Sequence, residues 1–244
     1  MMKKLIVGML AIGFSLVANA DPVQLKFDGI NTATATNVKI NGTKQNVYIG
    51  SYNLVEKIGS ATQSLVGFCV DPFEWASSSF TAYDKSPLDA TDFKTSAGVV
   101  RADGAARMNN VQKLYDNAYA TLGSDTKKTA GFHLALWEVF NDNTDLGSGA
   151  VKTVYSTDAT VKSWAQTFLD GLAGWGVKNL YSLTMYASLG HWTGFDWCKT
   201  WVPGKQDFLV ATLNPPQEVP LPAALPMLIS GLLGLGLMGS RRKV

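Results

Sequence analysis

The sequence is poor in the residues that metal and nucleophile chemistry most often use, since its 244 residues include two cysteines and two histidines. It has no glycine-rich phosphate-binding loop and no Ser-His-Asp signature, which argues against nucleotide hydrolysis and serine hydrolase chemistry. No linker interrupts the middle of the chain, so we expect one folded domain there. Seven tryptophans and eleven phenylalanines are enough to supply a sizeable core for it.

The middle of the chain also lacks an excess of positive charge. The whole sequence has 21 basic and 19 acidic residues, but five of the basic residues and none of the acidic ones lie in residues 1–20 and 221–244, the two terminal signals described below. Taking those five away leaves 16 basic and 19 acidic residues, a net charge of −3. Because nucleic acid and anionic lipid attract basic surfaces, this balance argues against either as the target.

A secretory signal peptide is predicted over residues 1–20, at the start of the chain. Its parts are a basic start at Lys3 and Lys4, an uncharged apolar stretch over residues 5–17, and a small-x-small cleavage site at Ala18-Asn19-Ala20. The apolar stretch is too short to span a bilayer comfortably, so we expect signal peptidase to remove it. A short anchor that stays in the membrane is the alternative.

The C-terminal segment has the order of a membrane sorting tail. A polar, proline-rich linker over residues 212–220 precedes a hydrophobic helix with a basic tail, predicted over residues 221–244. The apolar run from Leu221 to Met238 can just cross a hydrocarbon core, and its basic end should stay in the cytoplasm. The folded part of the chain is then expected outside the membrane.

The motif at the start of this tail is Val219-Pro220-Leu221-Pro222-Ala223, and the cluster at its end is Arg241-Arg242-Lys243. With the apolar helix between them, they resemble the PEP-CTERM sorting signal in its VPLPA variant. The usual Pro-Glu-Pro is replaced by Glu218-Val219-Pro220. The resemblance implies a Gram-negative bacterium, an exosortase-type protease that cleaves near the proline motif, and a cell-surface or extracellular protein of an exopolysaccharide layer or biofilm.

Residues 21–211, between these signals, are predicted to form the exported domain. Alternating apolar residues around the Asn41-Gly42 turn signal predict two strands, and the run from Leu65 to Val70 predicts a buried third. Helical spacing predicts three helices over residues 108–122, 129–140 and 161–172, after a polar loop over 77–97, and strands return over 181–185 and 208–211. This order predicts an α+β domain, an antiparallel β-sandwich or barrel with a helical insertion.

Two motifs in this domain carry a second resemblance. The first is Gly67-Phe68-Cys69-Val70-Asp71, and the second runs from Ala130 to Phe140 and reads AGFHLALWEVF. The pair is similar to the thioester domain of bacterial surface adhesins, in which a Phe/Tyr-Cys-x-Asp strand faces a Gln-x-Ala-Ile/Leu-Trp helix. The resemblance implies that Cys69 lies beside this helix and that cysteine and glutamine condense into an internal thioester. This chain has His133 in place of the glutamine, so we expect a degenerate site without the bond.

Several chemistries stay open for Cys69 and His133. A buried, hydrogen-bonded core histidine is the simplest interpretation of His133. Alternatively, His133 activates Cys69 as the base of a cysteine hydrolase, with Asp71 or Glu138 orienting the ring. A covalent adhesin would need a glutamine outside the helix motif to serve Cys69, and the candidates are Gln63, Gln112, Gln166 and Gln206.

The second cysteine adds two alternatives. In an oxidising compartment, a disulfide between Cys69 and Cys198 competes with every other use of the thiol. A zinc site would use both cysteines and both histidines, which adds His191 to the set. The leading prediction is a non-enzymatic structural or adhesive protein of the cell surface, without cofactor or metal.

Two further patterns have a structural as well as a functional explanation. The run from Asn141 to Asp145 carries oxygen ligands suited to calcium, but Leu146 stands where an EF-hand glycine should follow, so a solvated turn is favoured. Three tryptophans near Cys198 could stack on sugar rings, although core packing is the commoner use of such residues: Trp192, Trp197 and Trp201.

Overall fold

The computed structural model describes residues 22–95, 98–188, 190–193, 200–202 and 204–215. Within these ranges, the strands are β1 (Val23–Ile40), β2 (Thr43–Ile58), β3 (Ala61–Cys69), β4 (Thr81–Pro87), β5 (Val151–Thr153), β6 (Tyr181–Ser188), β7 (His191–Thr193), β8 (Thr200–Val202) and β9 (Phe208–Leu213). The helices are α1 (Gly104–Ala118), α2 (Thr126–Asn141) and α3 (Ala159–Gly171), with short 3-10 turns at Ala90–Asp92 and Tyr119–Thr121. The predicted α+β class with an antiparallel sheet is confirmed.

The main sheet is antiparallel and has the strand order β2-β3-β9-β6-β4-β1-β5. Because β1 also pairs with β2 along most of its length, the six strands from β2 to β1 form a ring, and β5 extends its edge. Strands β7 and β8 form a separate two-stranded sheet. The ring places β3 between β2 and β9, so the C-terminal strand lies directly beside the strand that ends in Cys69.

The predicted Asn41-Gly42 turn joins β1 to β2. Asn41 has φ of 48° and Gly42 has φ of 82°, the left-handed pair that a tight two-residue hairpin turn requires. Asparagine and glycine adopt this conformation at little cost, which is why the dipeptide is a strong hairpin signal. The turn sets the long β1–β2 register, in which Ile40 pairs with Thr43 and Ala33 with Gly50.

Helix α2 is the centre of the core. It begins after Asp125, whose carboxylate accepts hydrogen bonds from the backbone N–H groups of Lys127 and Lys128. Every residue from Thr129 to Phe140 is buried, because α2 packs against β1, β2, α1 and α3. A helix that is apolar on all sides is expected to be buried in this way.

The predicted loop over residues 77–97 is wrong in part, because it contains β4 and a 3-10 turn. The sequence of this segment is polar because only Tyr83 of β4 is fully buried, and the other side chains of the strand are half-buried or exposed. The segment therefore lacks the apolar pattern that predicts a strand. Backbone pairing with β1 and β6 stabilises β4 instead. The predicted end of the domain at residue 211 is also early, since β9 continues to Leu213.

The predicted export signals, residues 1–20 and 221–244, lie outside the described residues, as does the sorting motif at residues 219–223. Among the residues that are described, none of the helices is both long and apolar enough to cross a membrane.

Candidate functional site

Cys69 is the last residue of β3, where it pairs with Phe208 of β9. Its side chain is fully buried, and its sulfur forms no disulfide within the described part of the chain. The thiol donates a hydrogen bond of 3.1 Å to the main-chain carbonyl oxygen of Asp71, two residues further along the chain. The sulfur is therefore turned toward the segment that leaves the end of β3.

Gln206 lies beside this segment. Pairing between the two strands continues past Cys69, because the N–H of Val70 donates to the carbonyl oxygen of Asp207 at 2.9 Å. This register puts Gln206 opposite Asp71, and the Gln206 amide nitrogen donates to the main-chain oxygen of Asp71 at 3.2 Å. The Cys69 thiol and the Gln206 amide therefore converge on one oxygen atom.

The main chain of Gln206 is held from two sides. Its N–H donates to the carbonyl oxygen of Trp75 at 3.3 Å, and its own carbonyl oxygen accepts a hydrogen bond of 3.2 Å from the Tyr83 hydroxyl. Tyr83 itself is fully buried. These contacts fix the approach of the amide to the thiol in a frame of two paired strands.

His133 contacts the backbone of Cys69, as its predicted position beside that strand requires. Its Nδ1 accepts a hydrogen bond of 2.8 Å from the N–H of Gly50, so the proton is on Nε2, which donates to the carbonyl oxygen of Cys69 at 2.7 Å. Burial lowers the pKa of His133 to about 3, although the hydrogen bond to Cys69 acts in the opposite direction. At neutral pH, His133 is an uncharged core histidine.

Helix α2 presents three polar side chains to the end of β3. They lie at intervals of four residues on one helix face, at His133, Trp137 and Asn141. The Trp137 indole N–H donates to the carbonyl oxygen of Cys69 at 3.0 Å, and the Asn141 amide donates to that of Val70 at 2.7 Å. Through these three side chains, α2 holds the strand backbone at Cys69 and Val70.

This arrangement does not support a cysteine hydrolase. Both nitrogens of the His133 ring are engaged by backbone groups, so no lone pair is left to take the proton of the Cys69 thiol. Gly50 and the Cys69 carbonyl orient the ring, rather than Asp71 or Glu138. Burial also raises the pKa of the Cys69 thiol well above its usual range, which disfavours a standing thiolate.

Three carboxyl groups lie within electrostatic reach of one another near the thiol and the amide. Burial raises the pKa of Asp207 to about 7, and the charges of Asp71 and Glu74 contribute, against a hydrogen bond from the N–H of Ser188. Burial also raises the pKa values of Asp71 and Glu74. The charges of Asp71 and Asp207 in turn help to raise the pKa of the Cys69 thiol.

The other candidate glutamines are used elsewhere. Gln112 donates to Asp116 and to the Tyr181 carbonyl, Gln166 donates to Asp170, and Gln63 lies on β3 opposite Glu56. None of the three has a hydrogen bond to the residues around Cys69. Gln206 is the candidate that the fold brings to the thiol.

The remaining alternatives have mixed outcomes. Cys198 lies outside the described residues, so its disulfide with Cys69 stays a prediction. The side chains of His191, Trp192 and Trp201 and all of Trp197 are also outside them, and the described part of the chain contains no group of three or more residues suited to hold a metal. In the Asn141–Asp145 run, Asn141 is the last residue of α2 and the other four residues follow the helix, where Asp145 accepts hydrogen bonds from the N–H of Gly147 and from the Ser148 hydroxyl.

Comparison of the chain with family models, with curated proteins and with solved structures found no match. The chemistry of the site therefore has to be argued from its own residues and contacts.

Sequence reasoning found Cys69 and the helix beside it but did not single out Gln206. The available signal was weak: an apolar strand, Phe208 to Ala211, begins two residues after this glutamine. Only the antiparallel register of β3 and β9 shows that Gln206 comes opposite Asp71. Register between strands so distant in sequence cannot be derived from local patterns.

Proposed function

We propose that this domain forms an internal thioester between Cys69 and Gln206 and uses it to attach covalently to a nucleophile. The observation that carries the proposal is the convergence of the Cys69 thiol and the Gln206 amide on the main-chain oxygen of Asp71, at 3.1 Å and 3.2 Å. Because both groups hydrogen-bond the same oxygen atom in a frame of paired strands, they lie near each other, and such proximity raises their effective concentration. The partner of Cys69 is then Gln206 of the C-terminal strand segment, and His133 has a structural role.

The reaction is balanced within the chain. The sulfur of Cys69 attacks the side-chain carbon Cδ of Gln206, the S–Cδ bond forms, and the Cδ–Nε2 bond breaks. The thiol proton is transferred to the departing nitrogen, which leaves as ammonia. An external amine or hydroxyl later attacks Cδ, forms an amide or ester, and returns its proton to the sulfur as the S–Cδ bond breaks.

We propose Asp207, whose carboxylate accepts a hydrogen bond from the N–H of Ser188, as the group that assists these proton transfers. Burial raises its pKa to about 7, close to the value that a general acid or base needs near neutral pH. It directly follows Gln206, and its charge acts on the Cys69 thiol. The complete burial of Cys69 also limits access of water, which would otherwise hydrolyse the bond.

The thioester is tested by intact-mass measurement on the purified full chain. We expect the wild-type protein to lack the mass of one ammonia molecule, and methylamine to add its full mass with release of the thiol. Cys69→Ala and Gln206→Glu should show neither change, whereas the matched control Gln166→Glu should behave as wild type. A wild-type mass that equals the sequence mass, or one that lacks only two hydrogens as a disulfide would, overturns the proposal.

For the whole chain, we propose an exported adhesive protein of the cell surface or of an exopolysaccharide matrix, with no catalytic turnover. The support is the sequence order of signal peptide, domain, VPLPA-like motif, apolar helix and terminal arginines. Mass mapping of terminal peptides in protein recovered from the native host tests it. The mature chain should begin at Asp21 and lack Arg241 to Val244, and secreted material with a peptide ending in Val244 would contradict processing of the tail.

A further inference from the structure

A cavity of about 840 Å³ has Gln206, one of the two residues of the proposed bond, in its lining. Its outer wall is formed by the β1–β2 hairpin end and by the segment that follows Asp71, and its lining includes Tyr52, Trp137 and Gln206. Tyr52 and Trp137 are almost completely buried, and Trp137 hydrogen-bonds the backbone of Cys69. A molecule in this cavity would therefore lie against the amide that we propose to carry the thioester.

The outer part of the cavity combines exposed aromatic faces with unpaired amides. The Trp75 side chain is 77% exposed and that of Tyr48 is 57% exposed, although both are large and apolar. The side-chain amides of Asn41, Gln45 and Asn46 also line the cavity, and none of them makes a hydrogen bond to the described part of the chain. A flat aromatic face can stack on the C–H surface of a sugar ring, and neighbouring amides can hydrogen-bond its hydroxyl groups. The two features together suit a sugar ligand.

The charges of the lining narrow the choice of ligand. Among the described residues that line the cavity, Glu74 is the one carboxylic acid, and no lysine, arginine or histidine is present. The charge of Asp71 also acts on Glu74, and that of Lys205 acts in the opposite sense from outside the lining. Because the described lining itself has an acid and no cation, an uncharged ligand should be preferred over an anionic one, such as a uronic acid polymer or a phosphorylated glycan.

We propose that this cavity binds an uncharged polysaccharide chain and that a sugar hydroxyl of that chain is the group acylated by Gln206. In the covalent step, which rests on the proposed thioester, the hydroxyl oxygen bonds to Cδ of Gln206, the S–Cδ bond breaks, and the hydroxyl proton passes to the Cys69 sulfur. Trp75 is the stacking platform, and the amides of Gln45 and Asn46 are the hydroxyl partners.

Non-covalent binding is tested in the full chain carrying Cys69→Ala, which cannot form the thioester. The probes are neutral hexasaccharides of glucose, mannose and galactose and a hexauronate, first on an array and then by titration calorimetry. We expect binding to at least one neutral hexasaccharide and none to the hexauronate. Adding Trp75→Ala should weaken binding by about tenfold or more, whereas Tyr155→Ala, which removes a fully exposed aromatic side chain away from the cavity, should leave it unchanged.

The two proposals fail separately. Ammonia loss in the wild-type chain needs no sugar, and sugar binding by the Cys69→Ala chain needs no thioester. The sugar proposal is overturned if the folded Cys69→Ala chain binds none of the neutral hexasaccharides, if it binds the hexauronate as tightly as they do, or if Trp75→Ala has no larger effect than Tyr155→Ala. A covalent adduct of the wild-type chain that survives denaturation and is released by hydroxylamine would confirm the ester.

Discussion

At the scale of single residues, the site depends on one uncharged histidine. The folded-state pKa of His133 is about 3, against 6.5 for an unperturbed imidazole. Below pH 6.5, His133 becomes protonated in the unfolded chain but stays neutral in the folded chain. The contribution of His133 to the free energy of unfolding is therefore fully present above pH 6.5 and is lost as the pH falls toward 3. Protonation would also remove the Nδ1 lone pair that accepts the hydrogen bond from Gly50.

We predict that His133→Gln reduces this acid sensitivity. A glutamine can accept from Gly50 with its oxygen and donate to the Cys69 carbonyl with its nitrogen, but it does not titrate. Urea unfolding at pH 7 and pH 4 gives the measurement. The wild-type chain should lose about 3 kcal/mol more between the two pH values than the variant, and an equal loss in both would mean that His133 is not the group responsible.

Glu138 is a buried acid on α2. Neither of its carboxylate oxygens has a hydrogen bond to any residue that the structure describes, and its side chain is fully buried. Burial raises its pKa to about 9, and the charges of Asp142 and Asp145 add to the effect. Between about pH 4.5 and 9, the unfolded chain releases a proton that the folded chain keeps, so this residue makes the fold less stable as the pH rises through that range.

We predict that Glu138→Gln stabilises the fold at pH 8, by at least about 1 kcal/mol in the free energy of unfolding. The difference in free energy of unfolding between the variant and the wild type should be smaller at pH 5. At that pH, the Glu138 carboxyl is partly protonated in the unfolded chain too. Urea titrations at both pH values provide the measurement. A variant that is less stable than wild type at pH 8 would show that the carboxylate is ionised and paired in the folded chain.

At the scale of elements, the sequence predicted those helices, strands and turns that are marked by local signals, such as the spacing of apolar residues or the residues of a turn. The strands β1 and β2, the Asn41-Gly42 turn and the three helices were predictable because apolar spacing and turn chemistry are local. β4 was not, because its polar residues are held by pairing with β1 and β6. The partner of Cys69 was missed for the same reason, since Gln206 reaches it through the β3–β9 register.

The crossing of α2 and α3 depends on a glycine. A Cβ atom at Gly131 would come within 2.4 Å of the Trp164 Cβ and 3.0 Å of the Val161 carbonyl oxygen. Alanine has a higher intrinsic helix propensity than glycine, so propensity alone would make the substitution stabilising. Packing against α3 acts in the opposite direction at this position. Because both contacts involve atoms close to or in the backbone of α3, the packing term should win.

We predict that Gly131→Ala destabilises the domain by about 1–3 kcal/mol. Thermal and urea unfolding of the purified variant give the measurement. Gly176→Ala is the matched control, because a Cβ there meets no atom within 4 Å, and it should change the stability by less than about 0.5 kcal/mol. A Gly131→Ala chain as stable as the control would show that the two helices can separate at no cost.

At the scale of the whole molecule, the proposed thioester is also a covalent link across the fold. It would join the end of β3 to Gln206, two residues before the start of β9, and the loop that it closes contains all three helices. A link between residues distant in sequence reduces the freedom of the unfolded chain, by about 4–5 kcal/mol for a loop on the order of 100 residues in the chain-entropy model. The bond would therefore contribute to stability as well as to attachment.

This leads to a prediction about the molecule before and after it reacts. Methylamine opens the bond without changing any side chain outside the site, so the treated wild-type chain should unfold at a lower urea concentration than the untreated chain. The Cys69→Ala chain should unfold at the same concentration with or without methylamine, which controls for effects of the reagent itself. Intact mass measured on each sample before unfolding verifies the state of the bond. If opening the bond leaves the midpoint unchanged, strain in the folded domain offsets the entropic gain from the link. If the midpoint falls, the domain becomes less stable once it has reacted, and only the non-covalent contacts of the fold then stabilise it.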